Sequence, residues 1–343
     1  MGIIYSLDKD ESASYHRFPR TYDLLEDCAE ELVSVYDIFE RHIFKDINYN
    51  IIYKMMPRWT AEAGCDEEST WSKHTFEQFC QTFNSRVFNM MLFFADTNLL
   101  VAALQDRFSM IRGAMKMFYE NLESPIIENK RYIACTRSSD SGKYSAKFAA
   151  LYSTFIYMCS AMDLMTKIIY ELESIDKLDF KKYPKMKSAD VLFKRSYSFV
   201  SKFVGLTIFS HFEPLDEIME IRNRIVHNGG FGYRQWIYRG MIDDYHQEDF
   251  ILLPDVKDGH FEKYGNRMNF YSQGRTANNA LAEYVHDFSV CSFETINRIK
   301  CLYDVPDKSN EETTFRYMRR YIGYYKTAFD NLFKKLDNSQ IRK

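Results

Sequence analysis

The chain has 343 residues, 46% of them hydrophobic and 27% charged, and a net charge of -3. That length can bury a full core and predicts one large or two coupled domains. A balance so near neutrality excludes a protein that coats nucleic acid with its whole surface; any contact with RNA would be local.

In chain order, the N-terminus Met1-Gly2-Ile3-Ile4-Tyr5-Ser6 fits a loose myristoylation pattern, but no polybasic patch follows. It has no basic region leading into an apolar one, so no secretory signal is predicted. Tyr22 to about Phe44 reads as an amphipathic helix, with Leu24, Leu25, Leu32, Val35, Tyr36 and Phe39 near helical spacing. Met55 to Ser69 holds Pro57, Gly64 and an acidic cluster and reads as a loop. Trp71 to about Leu122 contains Gly113 but no Pro. It predicts one very long helix, or two broken near Asp96-Thr97-Asn98. Glu123 to Gly142 reads as a connector.

Tyr144 to Leu172 is apolar almost all round and predicts a central, buried helix. Ser153, Ser160, Asp163, Lys167 and Glu171 are its exceptions, and they fall in one narrow sector at about 100° per residue. A polar stripe on such a helix must be paired internally or must line a cavity. Asp163 and Lys167, at i,i+4, could form the internal pair. Ser188 to Val204 predicts a further helix capped by Ser188. Pro214 to Asn228 predicts another, with Pro214 in its first turn and Gly229-Gly230 as its stop. The segment 231–271, rich in Tyr, Trp and Ile with turn signals at Asp243-Asp244 and Asp258-Gly259, predicts two to four short strands or an ordered aromatic loop. Thr276–Tyr303 and Thr313–Leu336 return to helical periodicity. No run of 18 apolar residues predicts a membrane span.

The seven cysteines, Cys28, Cys65, Cys80, Cys135, Cys159, Cys291 and Cys301, include no C-x-x-C pair. Several lie in apolar helical runs, where a free thiol behaves as a small hydrophobe. This argues for a reducing, cytoplasmic setting and against a disulfide framework or structural zinc. The 8 histidines include no H-x-x-x-H or H-E-x-x-H pair, so neither a metal site nor a cofactor is expected. No phosphate-binding Gly-Lys loop and no G-x-S-x-G elbow occurs.

The helix of residues 215–227 carries the chemistry. On a wheel, Leu215, Met219 and Val226 lie together, flanked by Ile218 and Ile225, and Arg222 falls among them. Asn223 and His227 share the next sector, and Arg224 is expected on the exposed side. A guanidinium costs several kcal/mol to desolvate without partners. Arg222 therefore needs a fixed anionic or carbonyl partner, such as Asp163, or it opens onto a pocket or subunit interface.

Arg222-Asn223-Arg224-Ile225-Val226-His227 resembles the R-x4–6-H motif of the HEPN superfamily in its R-N-x-x-x-H form. Arg239-x6-His246 also fits the bare pattern, but it lacks the Asn and lies in the strand-like segment. The resemblance implies an all-α, HEPN-like helical bundle at 71–303 with an insertion at 231–271. An N-terminal helix and loop at 1–70 and a C-terminal helix at 304–343 would flank it. It implies a metal-independent endoribonuclease, with Arg222, Asn223 and His227 catalytic and a homodimer forming one composite cleft. Arg224, Lys167 and Asp163 are candidates for substrate contact.

The chemistry can be argued separately. An RNA 2′-hydroxyl can attack the adjacent phosphorus if a base takes its proton, an acid protonates the departing 5′ oxygen and a cation balances the growing phosphorane charge. An imidazole, ordinarily titrating near about 6.5, suits the proton transfers. A guanidinium offers bidentate phosphate contacts. The resemblance further suggests a toxin or antiviral defence effector, with an antitoxin or defence-system partner. Two other readings stand beside it: a non-catalytic module binding RNA, nucleotide or protein through the same cleft, and a helical structural subunit whose Arg222–His227 segment is an ordinary network.

Overall fold

In the computed structural model, the residues described are 13–45, 72–82, 86–122, 134–138, 141–186, 197–231, 236–241, 247–265 and 267–304. They are mostly helical. The helices are α1 (Ala13–Glu31), α2 (Val33–Ile43), α3 (Lys73–Thr82), α4 (Arg86–Asn121), α5 (Ser141–Ser174), α6 (Glu213–Asn228) and α7 (Ala277–Tyr303). The expected helix at 22–44 is thus two helices, parted by a turn at Leu32. Helix α4 runs unbroken through Asp96-Thr97-Asn98. The Thr97 hydroxyl donates back to the Phe94 carbonyl at 2.8 Å, so this buried polar residue is satisfied within the helix. The loop expected at 55–69 and the helix expected at 313–336 lie outside the described residues.

The strands are β1 (Ala134–Ser138), β2 (Ile237–Met241), β3 (Gln247–Phe250), β4 (Val256–Lys257), β5 (His260–Phe261), β6 (Lys263–Tyr264) and β7 (Met268–Asn269). The first three form an antiparallel sheet in the order β1-β2-β3, while β4 pairs with β5 and β6 with β7. The stretch read as a connector therefore supplies an edge strand, Ala134 pairing with Met241 and Ser138 with Ile237. A five-residue strand without strict alternation leaves little signal until its partner is known. Of the helix expected at Ser188–Val204, residues 188–196 with the Ser188 cap lie outside the described residues, and residues 198–202 form a short 3₁₀ turn instead.

The described residues fall into two compact units, each from three segments: those within 13–29, 99–174 and 184–298, and those within 30–98, 175–183 and 299–304. The first contains the core of α5, α6 and their neighbours. Phe108 meets Phe288 at 6.2 Å, Phe155 meets Tyr284 at 5.7 Å, and the Tyr119 hydroxyl donates to the Asn278 carbonyl at 2.8 Å. In the second, Phe44 packs edge-on against Phe94 at 5.4 Å, Phe93 against Phe180 at 5.6 Å, and Lys45 pairs with Asp176 at 2.7 Å.

Two stretches, Arg86–Asn121 and Ser145–Lys177, are long and apolar enough to cross a membrane on length and composition. About half of each is buried against the rest of the fold, as in core helices. Such helices show apolar residues all round because several neighbours cover them.

Candidate functional site

Helix α6 starts and stops as its sequence dictates. Pro214 occupies its first turn, Glu213 and Asp216 face the positive end of its dipole, and Gly229 ends it in the left-handed region at φ 75°. It packs on α5 in antiparallel fashion. Tyr152 of α5 meets Phe231, just beyond α6, with ring centres 5.4 Å apart, while the later Cys159 lies against the earlier Ile218 carbonyl at 4.0 Å. The buried residues of α6 are Leu215, Glu217, Ile218, Ile221 and Arg224. Arg222, Met219 and Asn223 are half-buried and Val226 is exposed, so the face carrying Arg222 is an open edge of the α5–α6 contact.

On that edge, the Arg222 guanidinium donates to the Asn223 side-chain oxygen at 3.1 Å. The five polar residues of the α5 stripe are all half-buried. Asp163 lies within electrostatic range of both Lys167 and Arg222. Desolvation pushes its carboxyl above the usual range, and the two cations counter that only in part. No ion pair joins Asp163 to either among the described residues, so the internal Asp163–Lys167 pair does not form. Cys159 is buried close by, its thiol pushed up to about 12 by desolvation, which keeps it protonated.

His227 stands on the exposed final turn of α6 and forms no hydrogen bond with a described residue. It follows Arg222 by five positions, which is roughly 140° around the helix at about 100° per residue. Within one chain the two side chains leave α6 in different directions. The structure therefore sets Arg222 beside both Asn223 and Asp163, while His227, one turn beyond Asn223 at i,i+4, leaves the helix away from Arg222.

Arg224 corrects an expectation. It is only 6% exposed rather than solvent-facing, and its guanidinium donates to the Arg267 carbonyl in the turn between β6 and β7. The wheel misplaced it because the insertion covers that side of α6. Glu220 of α6 also meets Lys263 of β6 at 3.8 Å, and Asn269 donates to the Phe231 carbonyl at 2.6 Å. Gly259 allows the neighbouring hairpin to approach α6: a Cβ there would lie 3.1 Å from the Asp216 Cβ, at a φ of 77°.

The sequence reading missed Arg107. This residue of α4 donates to Ser160 of the stripe at 3.0 Å and lies over the Tyr157 ring at 5.7 Å. It brings a second guanidinium to the stripe. Nothing local marks it, because the facing of α4 and α5 is a tertiary fact. A separate cavity of about 330 Å³ adjoins Glu217, Arg275 and Tyr284. There Arg275 pairs with Glu217 at 2.7 Å and the Tyr284 hydroxyl donates to the same carboxylate, a self-satisfied cluster. Among the described residues, no group of three or more His, Cys, Asp or Glu could hold a metal ion. Comparisons with protein-family models, curated proteins and solved structures returned no match.

Proposed function

We propose that the chain is a metal-independent endoribonuclease of the HEPN type, acting as a homodimer with a composite cleft. The observation that carries this is a half-open edge holding Arg222 bonded to Asn223, with His227 on the exposed last turn of the same helix. A guanidinium steadied by an amide but not consumed by a carboxylate can still grip phosphate. Arg107 and Lys167 add positive charge along the same stripe.

The proton balance calls for two imidazoles. One takes the 2′-hydroxyl proton as that oxygen attacks phosphorus; the other protonates the departing 5′ oxygen as the P–O5′ bond breaks. The products are a 2′,3′-cyclic phosphate and a 5′-hydroxyl. One α6 supplies one His227, and its direction away from Arg222 leaves a single chain incomplete. A two-fold pairing supplies the second imidazole and can set one copy's His227 beside the other's Arg222. Exposed apolar residues on the same helices, Ile156 and Val226, suit such a contact. A toxin or defence role, with an antitoxin or defence-system partner, is part of the proposal.

The divergence of Arg222 and His227 within one chain also favours a second reading, a non-catalytic module that binds RNA, nucleotide or protein through this edge. Cleavage of total RNA in EDTA, with 2′,3′-cyclic ends on the products, supports the nuclease; binding without cleavage supports the module.

A further inference from the structure

The β6–β7 hairpin has two unlike faces. Its register pairs Lys263 with Asn269 and Tyr264 with Met268. Strand alternation then puts Lys263 and Asn269 on one side and Tyr264 and Met268 on the other, and the Phe270 N–H, donating to the Glu262 carbonyl at 3.4 Å, carries the pairing one residue past β7 and adds Phe270 to the second side. The first side holds the hairpin to α6 and to the chain just beyond it. Lys263 meets Glu220, while Asn269 and the Tyr271 hydroxyl both donate to the Phe231 carbonyl. The second side is 70% exposed at Tyr264, 61% at Met268 and 50% at Phe270. Three large apolar side chains in one row on a solvent-facing hairpin are not a by-product of packing, because the opposite side does the holding.

The hairpin's place on α6 says what this row is near. Lys263 sits by Glu220, and Arg267 of the turn sits by Arg224. The hairpin thus points its tip toward the C-terminal end of α6. His227 follows Arg224 by three residues and Glu220 by seven, so it lies on the same side of the helix, roughly one 5.4 Å turn beyond the tip. Arg267 and Lys257 are exposed cations on the same insertion.

We propose that Tyr264, Met268 and Phe270 form a stacking platform for the bases of single-stranded RNA that flank the phosphate at the His227 end of the site. The identity of this ligand rests on the ribonuclease reading. Size decides against a protein partner. The exposed part of the row is roughly 350 Å² on the areas such side chains bury, under half of the about 800 Å² per partner that a stable protein interface needs. It suits one or two stacked bases, with Arg267 placed to meet their backbone. Bases in a duplex are already stacked on each other and cannot use it, so the platform selects unpaired strands.

The test uses the full chain and a fluorescein-labelled, uncleavable 2′-O-methyl 12-mer, single-stranded or annealed to its complement, read by anisotropy. Tyr264→Ala and Phe270→Ala are each expected to raise the Kd for the single strand about tenfold and to leave the duplex Kd unchanged. Tyr264→Trp and Phe270→Tyr should retain wild-type binding, and thermal midpoints should not move. Unchanged single-strand affinity in the two alanine variants would overturn the platform, as would a loss of dimer mass in those variants or no binding by the wild type. Cleavage is scored separately. A wild type that binds the strand through these rings but cleaves no RNA retains the platform and removes the nuclease. A wild type that cleaves, with alanine variants that bind and cleave as well as it does, does the reverse.

Discussion

Two charged clusters in the same unit behave in opposite ways. At the small sheet, Lys147 of α5 meets Asp249 of β3 at 2.6 Å, both almost fully buried, and Arg239 of β2 donates to the same carboxylate at 2.9 Å. Burial alone would raise the Asp249 carboxyl, but Arg239 and Lys147 together hold it below its usual range. At the α5–α6 edge, Asp163 has the reverse balance: desolvation outweighs Lys167 and Arg222, and no ion pair closes. The first cluster has spent its hydrogen-bonding capacity on itself. The second keeps a guanidinium and a carboxylate half-exposed and incompletely matched. A satisfied buried network fixes structure, whereas an unsatisfied one at an open edge can bind something else. Arg239-x6-His246 and Arg222-x4-His227 both fit the bare motif, and this contrast separates their arginines.

The largest expected effect breaks the closed cluster. Asp249→Ala strands the Lys147 ammonium in the interior and should cost about 3–5 kcal/mol of stability, read as a fall in denaturant midpoint. Because the Asp249 carboxyl is held low in the folded state, its contribution is present above the unfolded value of about 3.9 and is lost as pH falls through the lower folded value. The stability gap between wild type and Asp249→Asn should therefore narrow only below about pH 4. Next comes Arg222→Ala at the open edge, expected to reduce kcat/KM for RNA by about 10²–10³-fold while leaving the thermal midpoint nearly unchanged. Arg224→Ala should do the opposite from only two residues away. Losing the charged hydrogen bond to the Arg267 carbonyl should destabilise the hairpin by about 2 kcal/mol, with cleavage falling only as folding does. The smallest change is Asp163→Asn. It removes a carboxyl whose folded-state value is raised, so the thermal midpoint at neutral pH should hold or rise slightly, while KM shifts through Arg222.

Much of the helical frame was legible in the sequence. The apolar stretch 144–172, the Pro214 start and Gly229 stop of α6, and the 276–303 helix each follow from local rules of periodicity and capping. The half-buried stripe at Ser153, Ser160, Asp163, Lys167 and Glu171 was legible for the same reason, since a wheel needs only helix geometry. Facts set by distant packing were not legible. Arg224 is buried because a hairpin some 40 residues later in the chain (the contact spans 43) covers it. Arg107 faces Ser160 across 53 residues. The strand at Ala134–Ser138 gains its identity from residues 237–241. The roughly 140° between Arg222 and His227 could have been read from the wheel, and it bears directly on the need for a second copy.

The most direct test of the central claim is cleavage of a defined single-stranded RNA by purified wild-type chain and by His227→Ala, in EDTA, with product ends mapped and molar mass measured by light scattering. Wild type is expected to cleave to 2′,3′-cyclic phosphate and 5′-hydroxyl ends, His227→Ala to lose at least about 10³-fold of that activity, and both to remain folded dimers. Equal cleavage by the two proteins, or none by a folded wild-type dimer, would contradict the claim.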